Sequence, residues 1–280
     1  MTLPVLVLTP HPSGYIPPDI LAEMLGEDFF SFEKRNQRIS WMFDEGDPYT
    51  DVIYHCPDAY NLHALTSRFV VDLNRERDQD GENGIIKLTD FEKRPLYPEG
   101  FVLSEEKRQE RLRRYYDSFH NEVEFMLEQY PIKLIIDGHS MQPQGPKIGP
   151  DAGKLRPAIT LMTSSTPQGK ILNGKTHSTI SLEQAHQVMG LLEKHFMPII
   201  EDCNAVPAFI ALNEPWDHDE ISYRYSDPNR KNHVPAFAIE FNRALYLHYG
   251  DGREYPNEPV IKKLNQTFQE FIREVVTIVN

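Results

Sequence analysis

Several short apolar runs in this chain are each followed at once by residues able to do acid–base or metal chemistry. Val5-Leu6-Val7-Leu8 leads into Thr9-Pro10-His11-Pro12-Ser13-Gly14, and Leu134-Ile135-Ile136 leads into Asp137-Gly138-His139-Ser140. Phe69-Val70-Val71 leads into Asp72-Leu73-Asn74-Arg75, and Phe237-Ala238-Ile239 into Glu240-Phe241-Asn242-Arg243. Ligands in open α/β sheets bind beyond the carboxyl ends of strands. If these runs are strands, His11 and His139 stand where a metal would be held, because a neutral imidazole is the commonest zinc ligand and a catalytic zinc takes three protein ligands and a water. The third ligand is open among the four carboxylates of the acidic segment Phe43 to Asp51, namely Asp44, Glu45, Asp47 and Asp51. Glu240 sits between Ile239 and Phe241, where a carboxylate is expensive to bury unless it is paired or works as an acid/base. The plainer reading is an ion pair with Arg243 or Arg68. Arg68, Asn74 and Arg75 bracket one run, and guanidinium forks with an amide make a receptor for a planar carboxylate. Here the plainer reading is pairing of the arginines with Asp72 or Glu76.

The elements that must position these residues are those of an α/β protein. The four apolar runs, with Ala208 to Leu212 as a fifth candidate, read as buried strands of a sheet covered on both faces. Ser104 to Tyr130 reads as a long amphipathic helix. Ser181-Leu182-Glu183-Gln184 has capping-box spacing and opens a helix expected to run to about Phe196. Val260, Ile261, Leu264, Phe268, Phe271, Ile272, Val275, Val276 and Val279 recur at helical spacing near the C-terminus. Residues 78–100, 141–174 and 213–234 read as long loops. A chain of 280 residues with 40% hydrophobic and 25% charged residues can bury a full core, and the expectation is one domain over residues 1–280.

The formal net charge of -13 repels a phosphate backbone, so nucleic acid is excluded as an expected partner. Cys56 and Cys203 fit no paired metal spacing. No apolar run approaches a membrane span, and no basic stretch precedes an apolar one near the N-terminus. A cytoplasmic protein is expected.

With these residues in place, the chain resembles the N-formylglutamate amidohydrolase family. The resemblance is carried by Pro10-His11 with Gly14, Thr50-Asp51, Ser67-Arg68 through Asp72-Leu73-Asn74-Arg75, Asp137-Gly138-His139-Ser140, and Ile239-Glu240 with Leu245-Tyr246. Tyr116 and His120 resemble a further pair in that family. The resemblance implies a three-layer αβα sandwich around a mixed central sheet, related to zinc carboxypeptidases and aspartoacylases. It implies zinc on His11, His139 and Asp51, with Glu240 as general base and Asn74 and Arg75 on a substrate carboxylate. Arg68 and Arg224 are the expected receptors of a second carboxylate. The chain departs from the family pattern where Asn213-Glu214-Pro215-Trp216 continues without a glycine pair, and where Pro12 separates His11 from Ser13. The implied activity is zinc-dependent hydrolysis of N-formyl-L-glutamate or a related small anionic N-acyl amino acid. The alternatives are a carboxypeptidase-like peptidase and a non-catalytic anion-binding protein, and the second has no use for a base such as Glu240.

Overall fold

The computed structural model describes residues 2–250 and 253–278. Its centre is a six-stranded sheet made of β1 (Val5–Thr9), β2 (Tyr60–His63), β3 (Leu134–Met141), β4 (Ile159–Met162), β5 (Ile210–Leu212) and β6 (Ala236–Asn242). The spatial order is β2-β1-β3-β6-β4-β5. All neighbours run parallel except β4 and β6, which are antiparallel, so the sheet is mixed.

Side-chain alternation on the strands divides the core in two. Val5, Val7, Leu134 and Ile136 face one layer. Leu6, Leu8 and Ile135 face the other. The first layer is closed by α6 (Leu182–Glu201) and α8 (Glu258–Val275), whose Phe196, Phe268 and Phe271 are wholly buried. The second is closed by α1 (Pro18–Leu25), α2 (Phe32–Glu45) and the long helical segment α4 (Glu105–Arg111), a π-helical turn (Leu112–Asp117) and α5 (Ser118–Gln129). The result is the expected three-layer αβα sandwich. Each fully buried large apolar side chain stabilises it by roughly 1.5–3 kcal/mol relative to exposure. A short α3 (Thr50–Ile53), α7 (Glu220–Tyr225) and the hairpin β7 (Leu247–Gly250) with β8 (Arg253–Pro256) complete the elements. No described helix is long and apolar enough to cross a membrane.

The structure corrects some local expectations. Phe69 to Val71 is buried but is a turn, closed by Val70 N–H to Ser67 O at 2.9 Å, and not a strand. Three apolar residues are too few to separate a strand from a buried turn by pattern. The expected loop 141–174 contains β4, and the irregular stretch 213–234 contains α7. The capping box at Ser181 is present, but its helix continues past Phe196 and through Pro198, because Ile199 and Ile200 are buried and extend its apolar face. Val279, the last member of the C-terminal stripe, lies outside the described residues.

Candidate active site

The strand ends converge as expected. His11 lies two residues past β1, His139 is in β3, and both are buried. Gly138 is required beside His139, because a Cβ there would sit 2.6 Å from the ring of Tyr54. Tyr54 fills that space and places its hydroxyl 3.0 Å from His139 O and 2.8 Å from Ile239 O, tying β3 to β6 under the site.

The acidic side chain that meets the two imidazoles is Asp47. Its Oδ2 lies 3.2 Å from His11 Nδ1 and 3.1 Å from His139 Nδ1. Asp51 is corrected: it is exposed on α3, and the carboxylate grouped with the two histidines is that of Asp47. The chain folds back after Asp47, with Tyr49 at φ 65 and Thr50 donating its hydroxyl to Asp47 O at 2.7 Å, so Thr50 is buried and Asp51 turns outward. Arg243 braces the same loop, donating to Asp44 O at 2.7 Å and to Gly46 O.

Each imidazole is backed by a carboxylate. His11 Nε2 lies 2.9 Å from Asp72 Oδ1, and His139 Nε2 lies 3.0 Å from Asp137 Oδ2 and 3.5 Å from Asp219 Oδ1. Both nitrogens of each imidazole thus face carboxylate oxygens, which only accept when ionised; with a cation beside Asp47, Nδ1 would turn its lone pair to the metal while Nε2 kept its proton for the carboxylate behind. Carboxylates placed behind imidazoles in this way orient metal ligands and raise their basicity. The ligand atoms of His11, Asp47 and His139 all lie within 4.8 Å of one another, the arrangement a single divalent cation fits. The electrostatics agree. Burial alone would raise the Asp47 carboxyl, but hydrogen bonds from His11 and His139 hold it far below the usual range. Burial alone would lower His139, but Asp137, Asp219 and Asp47 hold it well above the imidazole range, whereas burial and the charge of Arg68 lower His11. Asp47 Oδ1 has no hydrogen-bond partner among the described residues.

Glu240 stands on β6 in register with His139 of β3. It borders a cavity of about 900 Å³, counting space open to solvent, that reaches His11, Asp47 and His139. The ion-pair reading does not hold: Arg243 is spent on the Asp44–Gly46 backbone and Arg68 on Asp72 at 2.9 Å, while Glu240 Oε2 has no hydrogen-bond partner among the described residues. Burial pushes the Glu240 carboxyl up to about 7, with the charge of Asp47 adding to that and His139, Arg156 and Arg68 opposing it.

Arg68, Asn74 and Arg75 all border the cavity. The pairing with Asp72 is also real, directly for Arg68 and at 3.9 Å for Arg75. Asn74 is committed elsewhere. Its Nδ2 donates to Asp219 Oδ1 at 2.6 Å and its Oδ1 accepts from Ile221 N–H at 3.0 Å, so it locks the Asp72–Arg75 segment to the start of α7. Arg224 is corrected: it does not border the cavity, and instead donates to the Tyr116 hydroxyl and pairs with Glu220. Tyr116 in turn donates to Arg75 O at 2.8 Å, and His120 Nε2 lies 3.1 Å from Leu73 O. The Tyr116 and His120 pair therefore braces the arginine segment from behind.

Sequence reasoning assigned no role to Asp137, Asp219, Lys87 or Arg156. Asp137 had a signal, since two residues apart on a strand means one shared face with His139. Lys87, wholly buried 3.3 Å from Asp72, and Asp219, the residue that caps α7, had none, because both contacts are long-range or lie in irregular chain.

Paired imidazoles, an acidic partner and a half-buried glutamate over one cavity can support hydrolysis assisted by a cation. Residues 3–247 match the family model described as N-formylglutamate amidohydrolase, and the chain belongs to that family. It is similar to the N-formylglutamate deformylase of Pseudomonas putida, with 26% identity over 249 residues covering 80% of this chain and 84% of that one. A 27% identical match to the N-formylglutamate deformylase of Pseudomonas aeruginosa covers 52% of this chain and 55% of that one. Among solved structures, an N-formylglutamate amidohydrolase from Ralstonia eutropha JMP134 superimposes with a TM-score of 0.66 at 16% identity, covering 98% of this chain and 94% of that one. At that identity the superposition establishes the shared fold.

Proposed function

We propose that this chain hydrolyses the amide bond of N-formyl-L-glutamate or a closely related N-acyl acidic amino acid with the help of one divalent cation, zinc being the first choice. One observation carries the reading: His11 Nδ1, His139 Nδ1 and Asp47 Oδ2 converge beside a glutamate whose Oε2 has no hydrogen-bond partner among the described residues. His11, Asp47 and His139 would hold the cation, which when bound supplies Lewis acidity to the reaction. Glu240, lifted to about 7 by burial, is poised to accept a proton from the attacking water near neutral pH. It returns that proton to the departing amine nitrogen as the C–N bond breaks, which leaves the free amino acid and the carboxylate of the acyl group. Arg75 and Arg68 present positive charge at the cavity wall for the α-carboxylate.

The names of the curated relatives support the substrate class, and the arginine-lined wall supports an anionic substrate. The test is a panel of N-formyl, N-acetyl and N-succinyl amino acids assayed for free amine with zinc present. Turnover that ranks N-formyl-Glu first supports the proposal. Turnover of unmodified peptides from the carboxyl end, with no N-acyl amino acid hydrolysed, would replace it with the peptidase reading.

A further inference from the structure

We propose that Arg156, stacked on Trp216, is the receptor for the side-chain carboxylate of the substrate and sets the preference for an acidic amino acid. The inference deepens the amidohydrolase reading above and rests on it. In the sheet order β1-β3-β6-β4, the reactive groups run from His11 after β1, through His139 on β3, to Glu240 on β6. Arg68 and Arg75 gather at Asp72, the carboxylate behind His11, on the β1 side. Arg156 precedes β4, so it borders the cavity from the other side of Glu240. Its charge is felt there, since it is among the groups that oppose the rise of the Glu240 carboxyl. Two cationic walls with the reactive groups between them suit a substrate that carries two carboxylates.

Arg156 is built for recognition and is not a loose surface cation. It is 2% exposed and lies 4.2 Å over the ring of Trp216. Asp151 accepts from its Nε at 2.7 Å and from its Nη2 at 3.0 Å, and Gln142 O from its Nη1 at 3.4 Å. A guanidinium has five N–H donors, so two stay available on the edge away from Asp151. Asp151 fixes the plane of the fork and Trp216 fixes its face, which prepays the ordering that binding a carboxylate needs. The loop that carries this pair is itself held. Gly145 N–H donates to Lys154 O at 3.0 Å, Gly153 N–H to Gly145 O at 2.8 Å and Arg156 N–H to Pro143 O at 3.0 Å. Gly145 admits the Asp151 backbone so closely that a Cβ would fall 2.2 Å from Asp151 O. Met141 and Met162 line the same cavity and offer apolar contact for the methylenes between two carboxylates.

The experiment compares kcat/KM for N-formyl-Glu and N-formyl-Leu on wild type, Arg156→Gln and the double variant Asp151→Asn/Arg156→Gln. The double variant removes both charges of the buried pair, so it separates loss of recognition from damage by an unpaired Asp151. The expected result, read on the alkaline plateau where Glu240 is ionised in every variant, is a fall of roughly 100-fold for N-formyl-Glu, mostly in KM, with the N-formyl-Leu rate retained in both variants. An equal fall for both substrates would show a structural role and overturn the assignment. Calorimetric binding of glutarate against butyrate, which needs no scissile amide, reads the same subsite without turnover. Arg156→Gln should weaken glutarate alone, and unchanged glutarate affinity overturns the proposal. If wild type hydrolyses no N-formyl amino acid, the amidohydrolase reading fails on that ground while the glutarate comparison still decides Arg156.

Discussion

Replacing Asp72 by asparagine should be strongly destabilising. Asp72 is wholly buried, and its carboxylate meets His11 Nε2 at 2.9 Å, Arg68 Nη2 at 2.9 Å, Lys87 Nζ at 3.3 Å and Arg75 Nη2 at 3.9 Å. Burial would raise its carboxyl, but Arg68, Arg75 and Lys87 outweigh that and hold it well below the ordinary range. Breaking a buried charge cluster by removing one partner costs about 3–5 kcal/mol. The lower end applies here, because burial has already pushed the Lys87 ammonium down to about 7 and it can shed its proton when its nearest anion is removed. The assay is urea unfolding of metal-free wild type and Asp72→Asn at pH 7 and at several acidic values. A carboxyl with a depressed folded pKa contributes stability above its unfolded pKa, about 3.9, and loses it as pH falls toward the folded value. The difference between the two proteins should therefore be full at pH 7 and shrink below about pH 4. Metal affinity should also fall by about 10–100-fold, because His11 loses the group that orients it. A difference under about 1 kcal/mol at pH 7, or one that does not decline below about pH 4, would overturn this role for Asp72.

Other outcomes follow from the same geometry. Glu240→Gln should lower turnover by roughly 100- to 10,000-fold while the protein keeps its cation content by elemental analysis. Since Glu240 works as the carboxylate and burial places it at about 7, the wild-type rate should fall as pH drops through about 7, or through a lower value where a bound cation favours the anion. That acidic limb should be absent from the residual activity of Glu240→Gln. Asp47→Ala should abolish zinc retention on dialysis, whereas Asp51→Ala should leave both zinc content and rate unchanged. Arg75→Ala should raise KM steeply for N-formyl-Glu but hardly for its α-ester, as read by steady-state kinetics.

The legible parts of this molecule were those with local periodicity. Val5 to Leu8, Leu134 to Ile136 and Phe237 to Ile239 are short two-sided apolar runs, and all became central strands. The end of each of these strands carries a residue that reaches the cavity, namely His11, His139 and Glu240. The third acidic group was legible only as a segment. Between Asp44 and Asp51 the choice is made by a left-handed Tyr49 and by Arg243, which arrives from almost two hundred residues along the chain to hold Asp44 O and Gly46 O. No spacing rule encodes that contact. Arg224 was misplaced for the same reason: α7 turns it toward Tyr116, and the helix that presents Tyr116 packs there through tertiary contacts. Arg156 went unread because it lies in a stretch of Gly and Pro whose order comes from backbone bonds such as Gly145 N–H to Lys154 O.

The proposed activity stands or falls on a divalent cation held jointly by His11, Asp47 and His139. Its most direct test is elemental analysis with calorimetric zinc titration of wild type, His11→Ala and His139→Ala, each stripped with chelator and checked for folding. The expected result is about one zinc per wild-type chain, hydrolysis lost on stripping and restored by zinc, and no comparable site in either variant. Full zinc binding by both folded variants, or undiminished hydrolysis by the stripped wild type, would contradict it.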